Sequence, residues 1–250
     1  MRQLHTQLAS GPEQRLMLEG FGPVDVVYLR AGYQYQDYVA TDLDALQCCD
    51  ALRAVRIFIE RHRVAVNATV AQQLATSKRM QQFIAAKSAS SLHEFGFSPG
   101  EAERLKAVFV EMSLVDADSA NRLQESGASQ WVMKNQGEGG GHCLFDEAIA
   151  ERLATLDKKD YPMWTLMQRL RPAGREVATL RVREGKAQRI EQLVSEIGIF
   201  TAHLGDEPLG GSAEEPGYVG YLVRSKPADV TEAGIHSGFG MLDSLLITES

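Results

Sequence analysis

The segment from Lys134 to His142 is the part of the sequence that most directly indicates chemistry. It reads KNQGEGGGH and places four glycines in five positions around Glu138. Glycines leave backbone N–H groups unobstructed, and a run of such groups can wrap an oligophosphate. Lys134 would add a point charge for a phosphate oxygen, and Glu138 a carboxylate for Mg²⁺. The spacing matches neither a P-loop nor a dinucleotide fingerprint, and a surface hairpin without a ligand stays open as the alternative.

Three weaker features point to charged ligands. Arg224 and Lys226 alternate along one predicted strand and so share a face. Glu196 lies in an otherwise apolar run, where a buried carboxylate needs a ligand or a partner. Arg30 and Tyr33 follow a predicted strand, at the end where α/β sheets bind ligands. A solvated strand edge, a structural ion pair and a surface arginine are the respective alternatives.

Composition and spacing exclude several classes of function. The net charge of −7 over 250 residues argues against a general nucleic-acid surface. No apolar run approaches the ~18 residues of a membrane span. The six histidines never fall at metal-ligand spacing, and Gly-x-Ser-x-Gly is absent. The three cysteines, two of them adjacent, fit a reducing compartment, so we expect a cytoplasmic protein.

The predicted elements give an α/β chain. The first predicted element is a strand at 24–29, followed by a helix from Thr41 to about Arg61 and a strand at 64–66, which together form a β-α-β unit. Further helices are expected at 70–86, at 99–112 and at 116–124. Strands are expected at 131–134, 164–170, 176–183, 189–203 and 218–226. We place a domain boundary near residues 70–80.

Taken in order, these features resemble the eukaryotic-type glutathione synthetases, which are ATP-grasp ligases. The matching stretches are 26–33, 72–82, 132–144, 166–170, 195–200, 223–226 and 234–243. Their order and rough separations agree as well as their motifs. The resemblance covers nearly the whole chain from about residue 15 onward and corresponds to the C-terminal portion of such enzymes.

The resemblance implies an ATP-grasp fold with a helical insert at 70–126. Residues 1–70 would form part of a β-α-β substrate-binding domain, and residues 71–250 the ATP-binding region. The implied reaction joins γ-glutamylcysteine to glycine through an acyl phosphate, using ATP and Mg²⁺. Nucleic acid and membranes are not expected partners, and a homodimer is left open.

The resemblance also assigns site residues. ATP would contact Lys78, Lys134, Gln136, Gly137, Glu138, Gly139, Gly140, Gly141, Phe145, Met167, Gln168, Arg169, Leu170, Glu196 and Lys226. The dipeptide would contact Arg30, Ala31, Gly32, Tyr33, Arg224, Ile235 and His236. Arg224 and Lys134 are the expected catalytic residues, and Glu138 is the expected metal ligand.

The sequence departs from the family pattern at several of these positions. Ala31 stands where an acidic residue is usual, Gly137 replaces an arginine and Gln168 replaces a glutamate. Family members carry about as much chain again before the matched part, and that portion supplies two further metal ligands. Three interpretations therefore stay open: a glutathione synthase, a ligase that adds a different amine to the same dipeptide, and an N-terminally truncated homologue that binds nucleotide without turnover.

Overall fold

The computed structural model describes residues 6–29, 32, 37, 50–137, 143–175, 178–213, 215–231 and 240–245. The chain divides into two compact units. The first comprises Met1–Glu138 and Leu144–Gln168, and the second comprises Gly139–Cys143 and Arg169–Ser250. Both contain β-structure, and the helices of the described residues lie in the first unit, so the fold is mixed α/β. The domain boundary expected near residue 70 stays a prediction.

The first unit opens with short antiparallel strands, β1 (Leu8–Ser10), β2 (Leu16–Leu18) and β3 (Gly22–Pro23). The prediction that ordered structure begins near residue 24 was therefore wrong. Each of these strands has only two or three residues, which is too short for an alternating pattern to be recognised.

The predicted β-α-β unit is confirmed. Strand β4 (Val26–Tyr28) pairs in parallel with β5 (Ala65–Asn67), and α1 (Asp50–Glu60) lies between them in sequence. Leu16 on β2 packs in a core cluster with Val55 and Ile59 of α1. The predicted helix start at Thr41 lies outside the described residues.

The following helices differ from the prediction in two places. Residues 70–86 form α2 (Val70–Thr76) and α3 (Lys78–Ala86), because Ser77 is extended, with ψ of 150°, and its side chain caps α3. The predicted Ser98–Glu101 capping box begins α4 (Pro99–Val108). This helix stops before Met112, which lies in strand β6 (Met112–Leu114), so the predicted continuation to Met112 was wrong.

The rest of the first unit is a sheet covered by helices. It adds α5 (Ser119–Ser126), β7 (Trp131–Asn135), β8 (Cys143–Phe145, whose first residue is counted with the second unit), α6 (Glu147–Thr155) and β9 (Trp164–Gln168). The strand order is β6-β9-β7-β8, with β7 antiparallel to β9. The core lies between this sheet and helices α5 and α6. Its buried side chains are Trp131 and Met133 of β7, Trp164 and Leu166 of β9, Leu123 of α5 and Ile149 of α6. The alternate residues of β7 and β9 face the other side of the sheet.

The second unit is built from antiparallel strands. They are β10 (Thr179–Arg183), β11 (Lys186–Ile190), β12 (Leu193–Thr201), β13 (His203–Leu204), β14 (Glu207–Pro208), β15 (Tyr218–Pro227) and β16 (Met241–Asp243). β10 pairs with β11, while β15 lies between β12 and β16. The prediction of a single strand at 189–203 was wrong. The chain leaves the β10–β11 hairpin at Glu191 and Gln192 and enters a different sheet as β12. In the described ranges, no helix is long and apolar enough to cross a membrane.

Candidate nucleotide and substrate site

Lys134 is the next-to-last residue of β7, as the sequence predicted. Its register partner on β9 is Thr165, which is fully buried. Since Met133 and Leu166 face the core, Lys134 lies on the opposite face of the sheet together with Thr165 and Met167. The lysine side chain is half-buried.

Gln136, just beyond β7, holds this face to the start of α3. Its Nε2 donates to Thr165 Oγ1 at 3.1 Å, and its Oε1 accepts from the backbone N–H of Arg79 at 3.0 Å. Its own N–H donates to the carbonyl of Met163 at 3.0 Å. One side chain therefore fixes the first turn of α3 beside the end of the strand that carries Lys134.

Lys78 is the first residue of α3. The N-terminal end of a helix carries a partial positive charge, and the aligned N–H groups there attract anions. The contacts of Gln136 bring this helix end, with Lys78, to the same part of the first unit as Lys134. Two lysines and a helix N-terminus form an arrangement suited to a polyanion such as a triphosphate.

The loop after β7 is described only at its beginning. Gly137 donates its N–H to Asn135 Oδ1 at 2.8 Å, which closes a turn immediately after the strand. The predicted phosphate loop and metal ligand, Glu138 to Gly141, lie outside the described residues. Within the described ranges, no group of three or more His, Cys, Asp or Glu side chains is placed to hold a metal ion. Phe145 lies half-buried in β8.

The predicted adenine contacts lie at the end of β9 and beyond it. Met167 shares the face of Lys134, whereas Gln168 is opposite Trp131 and exposed. Arg169 and Leu170 follow the strand, and Leu170 is 60% exposed. The division between the two compact units falls between Gln168 and Arg169, inside the segment that the resemblance assigns to adenine.

In the second unit, Glu196, Arg224 and Lys226 share one face of the β12–β15 pair. Glu196 is the register partner of Arg224, and an Arg224 Nη2 donor binds Glu196 Oε1. The expectation that Glu196 is buried was wrong, since its side chain is 66% exposed. The ion pair is the alternative that the sequence left open for this residue. Lys226 donates to the carbonyl of Thr231 at 2.6 Å.

The opposite face of the same strands carries a polar network that the sequence did not reveal. Arg175 Nη2 and Ser225 Oγ donate to Asp243 Oδ2 at 2.7 and 2.8 Å, and Ser195 and Ser225 share a hydrogen bond of 2.8 Å. Burial is the largest single influence and raises the pKa of Asp243, but the hydrogen bonds from Arg175, Ser225 and the Ser244 N–H, with the charge of Arg175, together lower it by more, so the net pKa lies below its ordinary value. The signal available in the sequence was a lone aspartate after Met241 and Leu242, which is weak.

Of the predicted dipeptide contacts before residue 100, the structure describes Gly32. Its N–H donates to Asp37 Oδ2 at 2.9 Å, and its carbonyl accepts from Arg56 Nη1 at 3.1 Å. Arg30, Ala31 and Tyr33 lie outside the described residues, as do Ile235 and His236 near the other end of the chain. Their assignment stays a prediction.

Comparison with known proteins decides the family. The sequence model of the eukaryotic glutathione synthase ATP-binding domain matches residues 20–247. The chain belongs to this glutathione synthase family. The resemblance inferred from the motifs is thus confirmed.

Glutathione synthetases from animals and plants are similar over most of the chain. The human glutathione synthetase is 29% identical over 240 residues, which are 93% of this chain and 46% of the human protein. The chloroplastic glutathione synthetase of Arabidopsis thaliana is 30% identical over 240 residues, which are 94% of this chain and 41% of the plant protein. The chain spans somewhat under half the length of these glutathione synthase relatives.

A solved structure shows the same fold. A glutathione synthetase-like effector from Globodera pallida, in its apo form, superposes with a TM-score of 0.59 over 96% of this chain and 45% of the effector chain. The two sequences are 20% identical. At that identity the likeness concerns the fold alone.

Proposed function

We propose that this chain binds ATP and supports the ATP-dependent ligation of γ-glutamylcysteine to glycine. The observation that carries the proposal is the bridge made by Gln136, which holds the start of α3, with Lys78, beside the end of β7, with Lys134. The matched family model is an ATP-binding domain, and the lysines lie inside its matched range. An ATP-grasp fold of the chain is part of the same proposal.

In this proposal the positive charges of Lys78 and Lys134 offset the repulsion between the attacking carboxylate and the phosphates of ATP. The cysteinyl carboxylate of the dipeptide attacks the γ-phosphorus of ATP, forming an acyl phosphate as ADP leaves. The amine of glycine then attacks the acyl carbon, forms the peptide bond and displaces phosphate. Lys78 and Lys134 offset the negative charge of the phosphates in the first step. Arg224, suited to a carboxylate by its two parallel donors, would orient the dipeptide.

Mg²⁺ is proposed as the companion of ATP. Magnesium is commonly held by one or two carboxylates together with substrate phosphates and water. A single carboxylate, Glu138, beside a bound triphosphate fits that pattern. The ion would neutralise phosphate charge, whereas the positioning of ATP would depend on the lysines and the backbone of the glycine loop.

Calorimetric titration with ATP and GTP tests the nucleotide part of the proposal. We expect ATP to bind in the presence of Mg²⁺, with GTP weaker because the predicted adenine contacts run along the main chain at Met167–Leu170. The matched variant Glu138→Gln should weaken MgATP binding while leaving metal-free ATP little affected. Absence of ATP binding by the folded chain would overturn the proposal.

Phosphate release with γ-glutamylcysteine and glycine tests the ligase part. Formation of glutathione would establish the synthase, and turnover with other amines in place of glycine would instead indicate a ligase of different acceptor specificity. MgATP binding without phosphate release would favour the third interpretation, a nucleotide-binding homologue without turnover. The cytoplasmic location stays a prediction.

A further inference from the structure

Ser10 and His62 form a serine–histidine pair in the first unit that no sequence motif indicated. Ser10 Oγ lies 2.6 Å from His62 Nε2, although the two residues are 52 positions apart in sequence. The other ring nitrogen of His62, Nδ1, lies 2.6 Å from the carbonyl oxygen of Phe58. A nucleophile, a base and a third group that orients the base are the three parts of an activated serine.

The carbonyl of Phe58 determines which nitrogen of His62 carries the proton. A carbonyl oxygen can only accept a hydrogen bond, so Nδ1 must donate to it. In the neutral ring Nε2 then keeps its lone pair and accepts the hydroxyl proton of Ser10. This is the tautomer that a general base for Ser10 needs.

The fold brings Ser10 to His62 through the face of β1 that meets α1. Ser10 is the last residue of β1, and its register partner Leu16 packs in the core cluster with Val55 and Ile59 of α1. Residues directly opposite each other in an antiparallel pair share a face, so Ser10 lies on the α1 side of the sheet. His62 follows the end of α1 by two residues.

Backbone and ring contacts fix the histidine, while the serine stays open to solvent. The N–H of Arg63 donates to the carbonyl of Gln14 at 2.8 Å, which ties the residue after His62 to the turn after Ser10. The imidazole also stacks on the ring of Phe58, with the centroids 4.1 Å apart. His62 is half-buried and Ser10 is exposed. The base is therefore held in place, and the nucleophile can be approached by a molecule from solution.

We propose that Ser10 and His62 form an acyl-transfer site for small neutral esters. Ser10 Oγ attacks the acyl carbon of the ester while its proton passes to His62 Nε2. The C–O bond to the alcohol breaks, and the alcohol leaves with that proton, so the acyl group stays on Ser10. Water then attacks the acyl carbon with His62 as its base, which releases the carboxylic acid and restores Ser10.

The surroundings of the pair favour a neutral, activated ester. Arg63 Nη1 pairs with Glu13 at 2.6 Å and Arg15 Nη2 pairs with Asp25 at 2.6 Å, so neither arginine adds an uncompensated positive charge for an anionic acyl donor. An exposed nucleophile encloses little of its substrate, so the leaving group of the ester must itself make the reaction easy. Aryl esters such as p-nitrophenyl acetate meet both requirements.

This inference is independent of the proposed function. Ser10 precedes the range 20–247 that the ATP-binding family model matches, and neither Ser10 nor His62 is among the residues assigned to ATP or to the dipeptide. A chain that binds no ATP could still be acylated at Ser10. Failure of the acylation would leave the proposed nucleotide site as it stands.

Incubation of the 250-residue chain with p-nitrophenyl acetate tests the nucleophile. We expect release of p-nitrophenolate, with an acetyl group found on Ser10 by mass spectrometry of peptides. Ser10→Ala should slow the release, whereas Ser88→Ala should not. Ser88 is the matched control, because its hydroxyl is hydrogen-bonded to the hydroxyls of Ser90 and Ser91 instead of to a histidine. Release at the same rate by Ser10→Ala and the unchanged chain would overturn the proposal.

His62→Asn tests the base. The asparagine amide can still donate to the carbonyl of Phe58, but it places no acceptor at the position of Nε2. We expect acetylation of Ser10 to become about 100-fold slower, at the low end of the range for general base catalysis.

The control for the base is His93→Asn, which removes an imidazole whose Nδ1 lies 2.7 Å from the carbonyl of Phe97. This variant should acetylate Ser10 at the rate of the unchanged chain. An undiminished rate in His62→Asn, or an equal loss in His93→Asn, would refute the role of His62. If His62→Asn does not fold, His62→Gln is the second variant, since its amide reaches toward Ser10 but is not a base, and the same slowing is expected.

Discussion

Glu196 lies directly across the β12–β15 pair from Arg224, and the guanidinium of Arg224 donates to its carboxylate. Both side chains are more than half exposed, at 66% and 51%. An exposed ion pair of this kind contributes about 0–1 kcal/mol to folding. Breaking the pair therefore costs little free energy, so each residue can turn to a ligand of its own. The family resemblance assigns them to different ligands, ATP for Glu196 and the dipeptide for Arg224.

Glu196→Gln tests whether this carboxylate serves ATP or only its arginine. We expect ATP affinity to fall by roughly 1.5–3 kcal/mol, the range for a hydrogen bond to a charged group, while the free energy of unfolding changes by less than about 1 kcal/mol. Calorimetric titration and denaturant unfolding give the two quantities. The control is Glu191→Gln, which opens the comparably exposed pair of Glu191 with Arg189. ATP affinity equal in Glu196→Gln and the unchanged chain would leave Glu196 only its role as partner of Arg224.

Lys134→Ala tests the proposed phosphate site at the end of β7. Loss of a charge-assisted contact to a phosphate oxygen should weaken ATP binding by roughly 1.5–3 kcal/mol. Folding should change little, because the lysine faces away from the core formed by Met133 and Leu166. Lys159→Ala is the control: it makes the same change of charge at a side chain that is 76% exposed. Equal ATP affinity in the two variants would remove Lys134 from the site.

Local features of the chain were readable from sequence where the pattern itself determines the structure. The Ser98–Glu101 capping box and the parallel pairing of β4 with β5 followed from residue types and spacing. The place of Lys134 at the end of a strand followed from the glycine-rich run after it. In each case the interactions that decide the structure lie within the segment or in the regular connection between its ends.

Contacts between distant segments were not readable. Gln136 contacts Arg79, 57 positions away in sequence, and Arg56 contacts Gly32, 24 positions away. Neither a glutamine nor an arginine in a sequence indicates which distant residue it will contact. The burial expected for Glu196 failed for a related reason. Its apolar neighbours Ile197 and Ile199 are themselves 51% and 63% exposed, so an apolar run did not mean a buried one. The break at Ser77 was missed because apolar residues at helical spacing lie on both sides of it.

Two substitutions of Gln136 should differ in their effects on stability and on ATP binding. Gln136→Ala leaves the buried Thr165 hydroxyl and the Arg79 N–H without this partner, so we expect a loss of about 1–3 kcal/mol in the free energy of unfolding. Gln136→Glu retains the acceptor for Arg79, at the positive end of α3, and Thr165 can turn its hydroxyl to donate instead. This variant should keep most of the stability yet bind ATP less tightly, because it places a negative charge beside the phosphates.

Denaturant unfolding and ATP titration of both Gln136 variants give this comparison. Gln136→Ala is expected to lose more stability than Gln136→Glu. Gln136→Glu, in contrast, is expected to lose ATP affinity at nearly unchanged stability. If Gln136→Glu binds ATP as tightly as the unchanged chain, the phosphates do not lie beside Gln136 and the proposed placement fails.

The Arg175–Asp243–Ser225 network predicts a specific dependence of stability on pH. Burial raises the pKa of Asp243, but the hydrogen bonds from Arg175, Ser225 and the Ser244 N–H, with the charge of Arg175, together lower it by more, so the pKa is lower in the folded chain than in the unfolded chain. A carboxyl with a depressed folded-state pKa stabilises the fold above its unfolded pKa of ~3.9 and loses that contribution as the pH falls through the folded value. The free energy of unfolding should therefore decline on acidification below about pH 4, and less steeply in Asp243→Asn than in the unchanged chain.

At pH 7 the variant should be less stable by about 1–3 kcal/mol, since the donors of Arg175 and Ser225 lose a charged acceptor. Urea unfolding at intervals from pH 3 to pH 7 measures both effects. Asp116→Asn is the comparison, because burial raises the pKa of Asp116 while hydrogen bonds from Arg122, Ser119 and the Asp118 N–H, with the charge of Arg122, together lower it by more. Parallel pH profiles for Asp243→Asn and the unchanged chain would show that Asp243 is not held as an ion by this network.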